Sequence, residues 1–163
     1  MTTTFSLDPR LAADTLPLGR FALSRLLLMN DATYPWLILV PERPGASELF
    51  DLDPADLARL AAETTLVAQM LKGLVVADKI NVAALGNVVA QLHVHVIARF
   101  ATDPAWPAPV WGRAPAKAYA NAEARAMLAR ITAALDALAS AAKAHRPAGE
   151  DRAAASSWRP HAG

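Results

Sequence analysis

The sequence predicts an α+β fold, an antiparallel sheet with helices packed on it, and three observations carry that prediction. The first is the run Gln91-Leu92-His93-Val94-His95-Val96-Ile97-Ala98-Arg99-Phe100, in which two classes of side chain alternate as a half-buried strand requires. The second is connection length. The apolar runs Phe21 to Leu28 and Trp36 to Val40, and again Ile80 to Leu85 and Gln91 to Arg99, are joined by short connections, which favour antiparallel neighbours over crossovers. The third is the helical spacing of apolar residues in two longer segments, Asp53 to Leu71 and Ala120 to Ala142, since a surface helix buries one stripe.

In chain order, Asp8-Pro9 opens a short helix through about Ala13, because Pro is tolerated at the first helical position and Asp accepts the free amides. Phe21 to Leu28 and Trp36 to Val40 are strands, and Asn30-Asp31-Ala32-Thr33-Tyr34-Pro35 between them is a turn by composition. After Glu42-Arg43-Pro44-Gly45, Asp53-Pro54 starts the clearest helix, with Asp56 at its third position. Leu57, Leu60, Ala61, Thr64, Val67, Ala68 and Leu71 fall on one face of it, and Gly73 supplies a stop. The strands Ile80 to Leu85 and Gln91 to Arg99 are joined by Gly86-Asn87-Val88-Val89-Ala90. Three prolines and two tryptophans between Asp103 and Gly112 make an irregular, ordered loop. Ala120 to Ala142 is an Ala-rich helix with Leu128, Ile131, Leu135 and Leu138 near one face. The domain spans residues 1–144, and residues 145–163, mostly Pro, Gly, Ala, Ser and charges, form a flexible tail with too little apolar surface to offset ordering.

Composition removes several function classes. A chain of 163 residues can bury a self-sufficient core. No apolar run approaches the roughly 20 residues of a membrane helix, since Asp78, Lys79, Asn81 and Asn87 interrupt the most hydrophobic stretch. The first ten residues show no secretion signal. The absence of cysteine excludes thiolate catalysis and Cys-based zinc sites and fits a reducing cytoplasm. With 16 basic against 15 acidic residues there is no electrostatic footprint for a nucleic acid polymer, although a small phosphorylated ligand needs only local donors.

The chemistry concentrates on one strand. Leu92, Val94, Val96 and Ala98 face a core, and Gln91, His93, His95, Ile97 and Arg99 stand on the other side, successive members about 6.5–7 Å apart. A neutral imidazole serves as nucleophile, proton carrier or metal ligand near pH 7. The segment resembles the signature of the histidine triad family, His-φ-His-φ-His-φ-φ with φ apolar, often followed by Pro-Arg. Here the slots read Gln91-Leu92-His93-Val94-His95-Val96-Ile97, then Ala98-Arg99. Asn81, Gly86-Asn87, the strand Arg25 to Asn30 and the run Leu37 to Pro41 also resemble family positions, so the likeness covers about residues 20 to 112.

The resemblance implies an antiparallel sheet of about five strands with packed helices and a two-fold homodimer. It also implies hydrolysis or transfer at the α-phosphate of a nucleoside phosphate, phosphoramidate or dinucleoside polyphosphate, with no cofactor and no obligatory metal. His93, in the middle slot, takes the nucleophile's role and would form a nucleotidyl-imidazole. His95 takes the third slot, which hydrogen-bonds phosphate. Gln91 replaces the first His, whose backbone carbonyl orients the nucleophilic ring, and its side chain cannot carry a charge or shuttle a proton. Asn87 corresponds to an amide that contacts phosphate or leaving group, Gly86 to the turn before it, and Asn30 to an Asn that binds ribose. Arg99 is placed to pair with phosphate or a carboxylate. Val88 stands where one branch has a proton-donating Ser, and Pro35-Trp36 where the family often has Gly-His.

Other readings stand beside this one. Gln91 and Val88 suit a nucleotide-binding protein with little turnover. His-x-His on a strand also suits a metal site, but the other histidines, His145 and His161, lie in or near the tail, so Glu42, Asp51 or Asp78 would have to serve, with no spacing to recommend them. Trp106 and Trp111 either wall a base pocket or cover the core.

Overall fold

The computed structural model describes residues 4–144 and 150–162. Six strands form one antiparallel sheet: β1 (Thr15–Arg20), β2 (Ser24–Met29), β3 (Trp36–Pro41), β4 (Lys79–Ala83), β5 (Val94–Arg99) and β6 (Arg159–Pro160), in the order β4-β5-β3-β2-β1-β6. The helices are α1 (Pro9–Asp14), α2 (Pro54–Val75), α3 (Asn121–Ala144) and α4 (Glu150–Ser157). α2 lies on β4 and β5, with α3 and α4 against it.

Both faces of the sheet are covered. On the helix side Leu26, Leu28, Leu37, Leu39, Val94, Val96 and Ala98 meet Leu60, Val67 and Leu71 of α2 and Ile131 and Leu135 of α3. On the other side Ile38, Val40 and Ile97 meet Leu11 of α1, Tyr34, and Ala105 and Val110 of the loop after β5. The alternation read in residues 91–100 therefore separates two cores rather than core from water. At about 25 cal/mol per Å² of apolar area buried, the second cluster contributes to stability as the first does.

Local sequence accounts for the helix ends. The Asp8 side chain caps α1 by accepting from the Arg10 amide at 2.8 Å. Asp53 caps α2 by accepting from the Asp56 amide at 2.8 Å, with Pro54 first in the helix. Gly73 does not stop α2; the helix runs on to Val75 and ends at Val76, which takes the left-handed conformation (φ 54°, ψ 48°) while its N–H bonds back to the Lys72 carbonyl. The buried stripe of α2 is also rotated from the expected one. Asp56, Ala62, Glu63, Leu66 and Met70 are buried, whereas Leu57, Ala61, Thr64 and Ala68 line an apolar groove against Val82 of the edge strand β4.

The sheet has six strands rather than about five, because two were hidden. β1 contains Pro17 and Gly19, residues that weaken a strand signal, and its register with β2 shifts between those two positions. β6 lies in the segment expected to be a flexible tail. Where described, that segment is ordered: α4 and Trp158 follow α3, and Ala154, Ala155 and Trp158 are buried in the main core. Trp158 is 2% exposed, packs its ring 5.2 Å from that of Phe21 and donates Nε1–H to Asp136 at 2.8 Å. One buried Trp and two close-packed alanines supply the burial that the composition seemed to lack. Residues 145–149, His145 among them, lie outside the described residues.

Candidate active site

His95 lies in β5 and His93 immediately precedes it, at the end of the strand that adjoins the Gly86 to Ala90 loop. His93 is 5% exposed, and its Nδ1 lies 2.7 Å from the main-chain oxygen of Gln91. A carbonyl only accepts, so the neutral ring carries its proton on Nδ1. Nε2 keeps the lone pair. His93 lines two cavities of about 280 Å³ each, one bounded by Ser47, Glu48, Gly86 and Asn87 and the other by Leu11, Met29, Trp36, Ile38 and Trp111. Asn87 borders both.

His95 has the opposite tautomer. Trp36 donates its indole N–H to His95 Nδ1 at 3.0 Å, so the neutral imidazole carries its proton on Nε2. Its ring lies edge-on to Trp36, Trp111 and His93, with centroids 5.4, 5.3 and 4.7 Å away. Burial lowers the His95 pKa to about 4, the proximity of His93 adds to the drop, and the Leu85 carbonyl partly opposes it. His95 is therefore neutral at physiological pH and acts as a hydrogen-bonding group, not as a cation. Trp111 packs against the second core, as one of its two readings expects, and also lines the cavity beside the histidines.

Three of the residues singled out in the sequence hold the fold here. Arg99 is neither solvated nor aimed at the cavities: it is 1% exposed, its Nε and Nη2 grip Asp103 at 2.8 and 3.0 Å, it donates further hydrogen bonds to Asn81 Oδ1 and the Ala108 carbonyl, and its guanidinium lies over the Tyr34 and Trp106 rings. The Arg99 guanidinium in turn holds the Asp103 carboxyl below its usual range. Arg99 thus ties the irregular 103–112 loop onto the sheet, and of the two partners expected for it, phosphate or a carboxylate, it meets the carboxylate of Asp103. Asn30 uses Oδ1 to accept from the Tyr119 amide at 3.0 Å and lines neither cavity at His93. The Gln91 side chain turns away from the histidines: Oε1 accepts from the Asp8 amide at 2.9 Å and Nε2 donates to the Ser6 carbonyl at 2.8 Å. Gly86 fits its expected turn role, since a Cβ there would approach the Val89 oxygen at 3.1 Å.

The acidic residues that a metal site would need are committed elsewhere. Glu42 pairs with Arg25, Asp51 accepts from Ser47 and Glu48, and Asp78 accepts from the Ala101 amide. Among the described residues no three His, Asp or Glu side chains converge as a metal set, and no helix is long and apolar enough to cross a membrane.

Sequence reasoning missed α1 and Trp36 as parts of the site. Trp36 is visible in hindsight only as a polar-edged aromatic at the start of a buried strand; for the wall provided by Leu11 no local signal exists.

Residues 11–102 match the HIT domain family. A histidine triad protein from Sinorhizobium meliloti 1021 is 52% identical, over 82% of this chain and 98% of that one, with a TM-score of 0.78. One from Marinobacter aquaeolei VT8 is 44% identical, over 83% and 98%, with a TM-score of 0.81. At 20% identity a hypothetical histidine triad nucleotide-binding protein from Sulfolobus tokodaii strain7 shares the fold, with a TM-score of 0.60 over 76% of this chain and 85% of that one. No protein of curated function matches the chain.

Proposed function

The chain belongs to the histidine triad family, and on that premise we propose that it is a cytoplasmic, homodimeric nucleotide hydrolase or nucleotidyl transferase in which His93 is the covalent nucleophile. The observation that carries this reading is the 2.7 Å contact between His93 Nδ1 and the Gln91 carbonyl. It fixes the ring, makes Nε2 the nucleophilic nitrogen, and does so through a backbone atom that the side chain in the first triad slot leaves unchanged.

The Nε2 lone pair attacks the α-phosphorus of a nucleoside phosphate, phosphoramidate or dinucleoside polyphosphate. As the N–P bond forms, the bond to the leaving group breaks and its electron pair departs with that group. Water or another acceptor then attacks phosphorus, the P–N bond breaks with its electron pair returning to Nε2, and the acceptor's proton passes to solvent, which leaves the nucleotide and neutral His93. Asn87 is the amide at the junction of the two cavities and contacts the phosphate or the leaving group. His95, as an Nε2–H donor, supports the phosphate oxygens where charge develops. The cavity walled by Leu11, Met29, Trp36 and Ile38 suits the flat face of a nucleobase, and the one with Ser47 and Glu48 takes the leaving group.

The exposed groove between α2 and β4 is the surface for the second copy, since Leu57 (41% exposed) and Val82 (50% exposed) are apolar side chains without cover. Val88, 70% exposed, offers no hydroxyl to the leaving group, and this favours, as a second reading, a nucleotide-binding protein with little turnover.

Wild type mixed with radiolabelled adenosine phosphoramidate and quenched early in alkali should yield an acid-labile, alkali-stable protein adduct. His93→Ala should yield none and lose at least about a thousandfold in turnover, because covalent attack has no substitute in the site. An adduct on another residue, or near wild-type turnover by His93→Ala, would overturn the mechanism. Nucleotide binding without adduct or turnover would select the second reading.

A further inference from the structure

Gln91 occupies the slot next to the nucleophile, yet its side chain reaches a different part of the chain. Its amide is a two-point clamp: the carbonyl oxygen takes the Asp8 N–H at 2.9 Å, and the NH₂ group gives a hydrogen bond to the Ser6 carbonyl at 2.8 Å. A primary amide presents donor and acceptor side by side, as a neighbouring strand's backbone would, whereas an imidazole directs its two nitrogens away from each other. The clamped segment runs directly into α1, whose cap is Asp8 itself. Leu11 of α1 is 6% exposed and, with Arg10 and Asp14, forms one wall of the cavity that His93 and His95 share. Two further contacts hold the same segment: Phe5 lies under the Arg25 guanidinium at 4.9 Å, and Leu7 packs on the second core.

We infer that Gln91 is a positioning residue with two separable duties: its backbone carbonyl orients His93, and its side chain fixes residues 6–14 as a wall of the substrate cavity. The first triad slot thereby sets binding through the N-terminal segment and contributes nothing to proton transfer. This rests on the nucleotide reading given above. Because the carbonyl survives any substitution, side-chain changes at Gln91 should alter affinity and leave the chemical step nearly intact.

The test compares wild type, Gln91→Ala, Gln91→His and Gln91→Glu by calorimetric binding of AMP, by turnover of adenosine phosphoramidate, and by amide hydrogen exchange over residues 4–14. Two neutral hydrogen bonds are worth about 1–2 kcal/mol together, so Gln91→Ala should weaken AMP binding about five- to thirtyfold. KM should rise similarly, kcat should stay within about threefold, and exchange over residues 4–14 should accelerate. Gln91→Glu keeps the acceptor for Asp8 but places a carboxylate against the Ser6 carbonyl, so it should show the same pattern, and it covers the case in which Gln91→Ala folds poorly. Gln91→His should bind more weakly and gain no turnover. A fall in kcat at unchanged affinity, a gain of turnover in Gln91→His, unchanged exchange, or faster exchange with unchanged AMP affinity would each overturn the inference. If wild type binds no AMP and turns over no phosphoramidate, the nucleotide reading fails instead, and the exchange data alone decide whether Gln91 clamps the segment.

Discussion

The two faces of the sheet are covered by different physics. On the helix face, α2 and α3 bury leucines, valines and isoleucines against β2, β3 and β5, and regular hydrogen bonding inside each helix satisfies its backbone. On the site face the cover is an N-terminal segment, a single short helix and the loops after β5, whose peptide groups have no regular partners. Side chains supply them. Gln91 holds residues 6 and 8, Asp31 accepts from the Thr33 and Lys117 amides, Asn30 holds Tyr119, and Asp103 with Arg99 holds Phe100, Ala105 and Ala108. A polar side chain on this face is therefore as apt to grip backbone as to meet substrate, since a buried N–H or C=O left unpaired is costly.

The contrast breaks first at Arg99. Both partners of the Arg99–Asp103 pair are nearly inaccessible, with side chains 1% and 4% exposed, so Arg99→Ala leaves a buried carboxylate uncompensated and should destabilise the protein by about 3–5 kcal/mol. Denaturant midpoints read this directly. Leu57→Ala, on the open groove of the helix face, should cost well under half as much in the monomer, and equal losses would erase the distinction drawn between the faces.

His95 gives a second, pH-dependent handle. Its folded-state pKa is depressed to about 4 against 6.5 for the free side chain, so the unfolded chain binds a proton that the folded one refuses. Stability from this group is complete above pH 6.5 and is lost as the pH falls towards 4, by at most about 3 kcal/mol. The carboxyls of Asp56 and Asp103, held low by Arg43 and Arg99, lose their contribution only below that window. The Glu63 carboxyl, pushed up by its burial, adds stability as the pH falls through the same range, so the His95 contribution is read as a difference: in thermal melts from pH 7 to 4 wild type should lose more stability than His95→Gln.

The smallest effect sharpens the comparison most. Trp36→Phe keeps the ring in the wall but removes the donor to His95 Nδ1, at a cost of about 1 kcal/mol. It also frees that nitrogen to accept a proton. The His95 pKa, followed by NMR titration, should rise, and an unchanged value would mean that burial and the neighbouring His93 set it without the Trp36 hydrogen bond.

What was legible in the sequence follows the same division. Helix-face elements repeat at 3.6 residues or alternate at 2, and α2, α3, β3 and β5 are readable from that pattern; the role of the first triad slot's backbone at His93 comes only from the family resemblance, and the Gln91 carbonyl contact agrees with it. The site face has no period. Gln91, Arg99 and Asn30 are polar residues in plausible positions, and nothing in their neighbourhood reveals that their partners lie at residues 6 and 8, at 103, and at 119. β1 escaped because Pro17 and Gly19 imitate a turn, and the C-terminal helix because its packing relies on alanines, whose small burial looks like none until a groove is there to receive them.

Gly19 has one more consequence. A Cβ at that position would lie 2.3 Å from the Arg159 oxygen and 2.5 Å from the Trp158 ring, so only glycine lets the chain's last described residues settle beside β1 and pair as β6 at Gly19 and Arg20. That margin of the sheet is thereby blunted: part of it is occupied, and Pro17 has no N–H to offer an incoming strand. The opposite margin, β4, carries no such guard. Of the two margins, the one at β4 therefore leaves more of its backbone hydrogen-bonding groups open to an incoming strand, and the one at β1 and β6 fewer.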